Sequence, residues 1–262
     1  MDENLKAEIE RLWNEKSHDI SCIHEAMQKL DSGTLRIAQK IDGKWHVHDY
    51  LKKAILLFFK HTGSKIISGS HCKYFDKIPM KTEGWTEKNF AEAGFRLVPG
   101  AIVRYSAHVA RSAIIMSSFV NVGAFIDEET LVDTNALVGS CAQIGKKCHI
   151  SDAVTIGGVL EPLQATPVVI EDNCFIGVKC ALVEGILVQE GAVLAAGTCI
   201  TSSTKIINRD TGEISYGCVP PYSVVVPGSY STNGVNISCA VIVKQVSEQT
   251  RRKTSLNELL RL

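Results

Sequence analysis

Apolar positions in the first 95 residues recur with a helical period. Leu5, Ile9 and Leu12 share one face of a segment near residues 2–16, with Trp13 at its border. Ile23, Met27 and Leu30 repeat the spacing and stop at Asp31-Ser32-Gly33. Leu51, Ala54, Ile55, Phe58 and Phe59 mark a third helix. Lys60 and His61 lie near its C-terminal end, where positive charge suits the helix dipole. Before it, 35–41 and 44–48 predict a strand pair joined by Asp42-Gly43.

From about residue 100 the period changes to six. Val120, Ile126, Val132, Val138, Ile144, Ile150 and Ile156 are spaced by six residues. After an interruption, Ile170, Ile176, Leu182, Val188, Leu194, Ile200 and Ile206 resume the spacing. Two positions before each slot the residue is mostly small, as at Ala124, Thr130, Ala136, Ala142, Cys148, Cys174, Cys180, Ala192 and Thr198. Hexapeptide periodicity predicts a parallel β-helix, in which three units make a triangular coil and aliphatic slots stack 18 residues apart. A solenoid needs its ends covered. Residues 1–95 are expected to cap one end. Residues 238–262, with strand-like 239–243 and a helical 256–262, are expected to close the other.

The expected organisation is therefore mainly β. An N-terminal, mainly helical α/β cap and substrate-contributing domain covers 1–99. The β-helix covers 100–237, with loops thrown out at 157–167 and 208–217, and a strand and helix follow at 238–262. Loops leaving a regular solenoid are the expected binding elements.

Composition sharpens this picture. Of 17 aromatic residues, only Tyr105, Phe119, Phe125 and Phe175 fall between 103 and 206, as a narrow prism demands. The net charge is zero, which argues against a nucleic-acid binder working by bulk basicity. It hides a prism segment, 103–206, of net −4 and flanks of net +4. The N-terminus has no basic segment followed by an apolar run, and no stretch approaches the ~18 apolar residues of a membrane span. A cytoplasmic protein with reduced thiols and no membrane partner is expected. The nine cysteines include no Cys-x-x-Cys pair, so no metal site is expected. Cys174 and Cys180 read as corner fillers, and His108 and His149 as structural or surface residues.

The six-residue runs resemble the left-handed β-helix acyltransferases. Other segments narrow the resemblance to the tetrahydrodipicolinate N-succinyltransferase family of bacterial lysine and diaminopimelate synthesis. They include Leu30-Asp31-Ser32-Gly33, Tyr74-Phe75-Asp76-Lys77-Ile78-Pro79-Met80-Lys81, Gly94-Phe95-Arg96 and Val132-Asp133-Thr134. Residues 157–164, Val183-Glu184-Gly185, Cys239-Ala240-Val241-Ile242-Val243-Lys244 and Asn257-Glu258-Leu259-Leu260-Arg261 match too.

The resemblance implies a left-handed β-helix and a homotrimer with active sites in grooves between neighbouring prisms. It implies succinyl-CoA as co-substrate, no tightly bound cofactor, and an amino-dicarboxylate acceptor made by hydration and ring opening of a cyclic imine. Arg96 matches the residue expected to pair with an acceptor carboxylate, and Asp133 matches the family's substrate-binding acid. A carboxylate there can orient the amine and act as general base. A turn role for Asp133, bonding its own backbone, is the alternative.

Two residues depart from the family pattern. Ala181 occupies the position of a catalytic Glu, leaving Glu184 three residues on as the substitute acid, and Asn135 replaces an aromatic residue. Backbone N–H groups of Gly157 and Gly158 are candidates for the acyl-CoA carbonyl, with a turn-only role as the alternative. Lys205 and Lys244 lead a basic set, with Arg209, Arg251, Arg252 and Lys253, for the CoA phosphates. The departures leave two other readings open: a related acyltransferase with acetyl-CoA or another acceptor, and a β-helix that binds without catalysis.

Overall fold

The computed structural model describes residues 2–15, 20–69 and 72–253. The six-residue period becomes a three-sided left-handed parallel β-helix. Each slot residue from Val120 to Ile200 forms a two-residue strand with the residue before it. The first face stacks Arg96–Leu97, Ile114–Ile115, Leu131–Val132, His149–Ile150, Phe175–Ile176 and Val193–Leu194. The second stacks Ile102–Val103, Phe119–Val120, Leu137–Val138, Thr155–Ile156, Ala181–Leu182 and Cys199–Ile200. The third stacks His108–Val109, Phe125–Ile126, Gln143–Ile144, Val169–Ile170, Leu187–Val188 and Cys218–Val219.

All fourteen slot side chains are fully buried. The residue before each slot points outward, because successive strand residues face opposite sides. Phe119, Phe125 and Phe175 all hold that outward position. The third residue after a slot usually turns through left-handed backbone, as at Glu129, Asn135, Cys141 and Lys147. Asn135 therefore suits its corner, because Asn tolerates this conformation better than most side chains.

The register explains both interruptions. Ile144 stacks on Ile170, Ile150 on Ile176 and Ile156 on Leu182, so the 157–167 loop adds eight residues to one coil. Val188 stacks on Val219 and Leu194 on Val225 across the second excursion. Ile206 keeps the numerical period but leaves the ladder. Its strand, Ile206–Asn208, pairs with Val235–Gln245 and with Ile214–Ser215, and Val219 takes the place above Val188. The repeat also reaches back to Leu97, Val103, Val109 and Ile115. The corner at 116–118 is one residue short, so these positions fall out of phase with Val120.

The helices α1 (Glu3–Glu15), α2 (Ser21–Ser32) and α3 (Asp49–His61) form a second core that includes Val122 and Cys141 of the prism. They flank the prism along its third face, so within 1–95 the covering of the end falls to residues 85–95. Gly33 ends α2 with φ 78°, and a Cβ there would lie 2.5 Å from the His108 ring. The hairpin Ala38–Ile41/Lys44–Val47 lies on the same face. Lys40 Nζ and Trp45 Nε1 both donate to Glu171 Oε1, at 2.7 and 2.9 Å. Burial pushes the Glu171 carboxyl up, but these donors and the Glu190 N–H hold it below its ordinary value. The Arg36 guanidinium sits 3.6 Å over the Phe125 ring, covering that outward aromatic.

The N-terminal end is plugged by rings. Trp85, Phe90 of α4 (Glu87–Ala93) and Phe95 pack on one another in T-shaped and tilted pairs and lie against the first coil. The other end is closed by the long hairpin Ser223–Thr232/Val235–Gln245, which buries Ala240 and Ile242 in the prism core. A short helix, α5 (Glu248–Lys253), follows. The helix expected over 256–262 lies outside the described residues.

Candidate active site

The candidate residues separate onto two edges of the prism. The edge between the first and second faces carries Asp133. Its N–H donates to Ile150 O at 2.8 Å, which fixes the corner against the next coil. Its Oδ1 accepts from the Thr134 N–H at 2.7 Å, so the turn role is real. Oδ2 is turned away from that turn and lies 3.8 Å from His149 Nε2, with both side chains partly exposed. The carboxylate therefore does two things at once.

His149 is the neighbour that sequence reasoning discounted. The stacking of Val132 on Ile150 places residue 133 beside residue 149, a spacing the 18-residue ladder already contained. The His149 ring is edge-on to Phe175 at 5.2 Å. Arg96 begins the same outward column, through Ile114 and Leu131 to His149, and it is exposed. His108 has a different setting. Burial pushes its imidazole below the ordinary value, and its Nδ1 lies 3.3 Å from Asp31 O.

The edge between the second and third faces carries Gly157, Gly158, Glu184 and, past Ser202, Lys205. The Gly157 N–H already donates to Leu182 O at 2.7 Å, so it cannot also serve an oxyanion. The Gly158 N–H has no partner among the described residues. A Cβ at Gly139 would fall 2.2 Å from Gly158 N, so bare backbone touches bare backbone here. Glu184 has left-handed backbone, φ 59°, and its Oε2 accepts from Ser202 Oγ at 2.5 Å and Ser202 N at 3.1 Å. These two bonds hold its carboxyl below the ordinary range. Glu184 is thus a corner staple, whereas Ala181 stands within the second face beside Thr155 and Cys199.

Lys205 leaves this edge with Nζ 3.9 Å over the Tyr230 ring. Lys244 lies opposite Val224 on the closing hairpin, and Arg209 Nε bonds Asp210 Oδ1 at 3.0 Å. Arg251, Arg252 and Lys253 fall in α5. Burial pushes Cys174 and Cys180 up, the latter to about 11, which suits fillers and not nucleophiles. Among the described residues no His, Cys, Asp or Glu cluster could hold a metal ion, and no helix is long and apolar enough to cross a membrane.

Within one chain the whole second face separates Arg96, Asp133 and His149 from Gly158, Glu184 and Lys205. A left-handed hexapeptide prism carrying such groups on its edges belongs to the class of β-helix acyltransferase folds. Residues 4–60 match the family model for the tetrahydrodipicolinate N-succinyltransferase N-terminal domain, and 167–202 match the hexapeptide repeat of succinyl-transferase. The chain is 55% identical to a 2,3,4,5-tetrahydropyridine-2,6-dicarboxylate N-succinyltransferase of Granulibacter bethesdensis, over 99% of each chain. It is 52% identical to the protein of that name from Parvibaculum lavamentivorans, over 98% of each. A solved Campylobacter jejuni structure titled as a 2,3,4,5-tetrahydropyridine-2-carboxylate N-succinyltransferase shares the fold, with TM-score 0.51 and 16% identity. That match covers 86% of this chain and 63% of the other. The chain belongs to the 2,3,4,5-tetrahydropyridine-2,6-dicarboxylate N-succinyltransferase family.

Proposed function

We propose that the chain transfers a succinyl group from succinyl-CoA to the amine of ring-opened tetrahydrodipicolinate, L-2-amino-6-oxopimelate, in the cytoplasmic synthesis of diaminopimelate and lysine. The separation of the candidate groups onto two edges carries the reading of the site. A donor edge (Gly158, Lys205, with Lys244 beyond it) and an acceptor edge (Arg96, Asp133) meet only when a second prism stands alongside. The working unit is accordingly a homotrimer with its sites in the grooves.

In this reading Arg96 pairs with an acceptor carboxylate through its planar fork. Asp133 Oδ2 receives a proton from the amine, and His149 steadies the charge on that carboxylate. The amine nitrogen forms the new bond to the thioester carbonyl carbon, and the tetrahedral oxyanion accepts from the Gly158 N–H. The C–S bond then breaks and CoA leaves as thiol, its sulfur having taken up the proton. Lys205 and Lys244 hold its phosphates. Of the candidate acids, Asp133 is the one left for the amine, since Glu184 is committed to Ser202 and Ala181 has no carboxyl.

A thiol-release assay with the cyclic imine and either succinyl-CoA or acetyl-CoA tests the proposal. Turnover with succinyl-CoA and an absolute need for the imine are expected. Release with acetyl-CoA alone would move the chain to a related acyltransferase, and tight CoA binding without turnover would make it a binding protein. Ala181→Glu is expected to raise kcat about tenfold or more by restoring a second acid. An unchanged rate would leave Asp133 as the sole acid.

A further inference from the structure

A fully buried cation stands behind the 157–167 loop. Lys52 of α3 has no solvent exposure, and its Nζ donates to Leu163 O at 3.2 Å and to Ala165 O at 2.5 Å. Burial lowers its pKa, and the groups close enough to oppose this are the buried Cys141 thiol and Asp49. Among the described residues no carboxylate lies within ion-pair distance of Nζ.

The loop is held at three points. It leaves the prism where Gly139 and Gly158 touch, and it returns over Gly185, where a Cβ would lie 2.7 Å from Thr166 O. Between these points Glu161, Pro162, Gln164 and Thr166 are exposed, and Leu160 leans on the helical core. The two inward carbonyls of this exposed stretch meet Lys52. Burying a cation without a counter-charge is unfavourable, so an apolar residue would serve packing better. An apolar residue lacks the donors that those two carbonyls need.

We propose that Lys52 is a positioning residue for the acyl transfer. Through Leu163 O and Ala165 O it sets the shape of the 157–167 loop, and through the loop the aim of the Gly158 N–H. This makes α3, which packs on the donor edge beside Val122 and Cys141 but carries none of the candidate groups, part of the transfer machinery. The inference rests on the reading that the loop borders the succinyl-CoA site.

The test compares full-length wild type, Lys52→Met and Lys52→Gln by amide hydrogen exchange and steady-state kinetics. In K52M, amides of 159–166 are expected to exchange at least tenfold faster while those of 175–200 are unchanged. Its kcat is expected to fall at least tenfold, with KM for succinyl-CoA within threefold of wild type. K52Q keeps amide donors on a shorter arm and should recover part of both losses. Unchanged loop exchange with kcat within twofold overturns the proposal. Faster loop exchange with unchanged kcat also overturns it, and then the fault lies in the loop's assigned role, not in the grip of Lys52. If K52M fails to fold, K52Q decides. Loop exchange at least threefold faster, over an undisturbed prism and with reduced kcat, supports the proposal; wild-type exchange and kcat overturn it.

Discussion

Two edges of one prism are built from the same corner, and only one throws out loops. Between the first and second faces the corners at 133–136, 151–154, 177–180 and 195–198 are all four residues long. They present side chains at fixed heights, and Asp133 meets His149 because of that regularity. Between the second and third faces the chain leaves twice, at 157–167 and again after Ile200. There the coil throws out loops and Lys205 is brought to the rim, while the Gly158 N–H, like those of Asp152 and Val178 on the other edge, has no partner among the described residues. What the loop edge adds is close approach to main chain, because Gly157 and Gly158 place no side chain over that N–H.

The contrast can be broken from either side. The largest effect is expected from Asp133→Asn. The amide oxygen can still accept from Thr134, but it cannot take a proton. We expect kcat to fall ~10²–10⁴-fold with an unchanged thermal midpoint. Full activity in D133N would remove the acceptor edge from the chemistry. Next is Gly139→Ala, which puts a Cβ 2.2 Å from Gly158 N and must displace the loop's exit. A loss of up to ~10²-fold in kcat/KM is expected for a shift of about 1 Å, at a stability cost of ~1–3 kcal/mol by urea unfolding.

Smaller effects sharpen the comparison. His149→Asn removes the half-exposed contact of the imidazole with Asp133 Oδ2 at 3.8 Å; at the ~0.2–1 kcal/mol of an exposed pair, kcat should drop no more than about fivefold. A drop of a hundredfold would promote His149 from support to general base. Glu184→Gln should leave kcat almost unchanged. Its signature is in stability against pH. The folded carboxyl lies below its ordinary value of about 4.5, so its contribution is present above that value and is lost as pH falls through the lowered one. Wild type and E184Q should therefore differ slightly in thermal midpoint near pH 7 and converge in stronger acid. A large kcat loss in E184Q would return Glu184 to the catalytic set.

The repeat was legible because each rung imposes the same demand: an aliphatic residue inside, a small one at the corner. Fourteen slots met the first demand and eleven the second, and thirteen stack as the period requires. Ile206 did not, because burial constrains a residue's chemistry and not which strand lies beside it. The four units from Leu97 to Ile115 were hidden by one missing corner residue. Lys52 was invisible for a different reason. It follows Leu51 on a helix and reads as solvated, and only the loop laid over it makes it buried. His149 was readable in the 18-residue arithmetic but was weighed by residue type alone.

Taken alone, the order of residues determined the coil, its internal ladder, the exclusion of rings from its interior and the family to which the chain belongs. These are local, repeated requirements, and repetition makes them visible along a single strand of text. Only the tertiary structure decided that the helices flank the prism while rings plug its end. It also decided that the Gly157 N–H is occupied while that of Gly158 has no partner among the described residues, and that the candidate groups lie on separate edges. Those outcomes depend on contacts between segments far apart in the chain, and on which backbone groups such contacts leave unbonded.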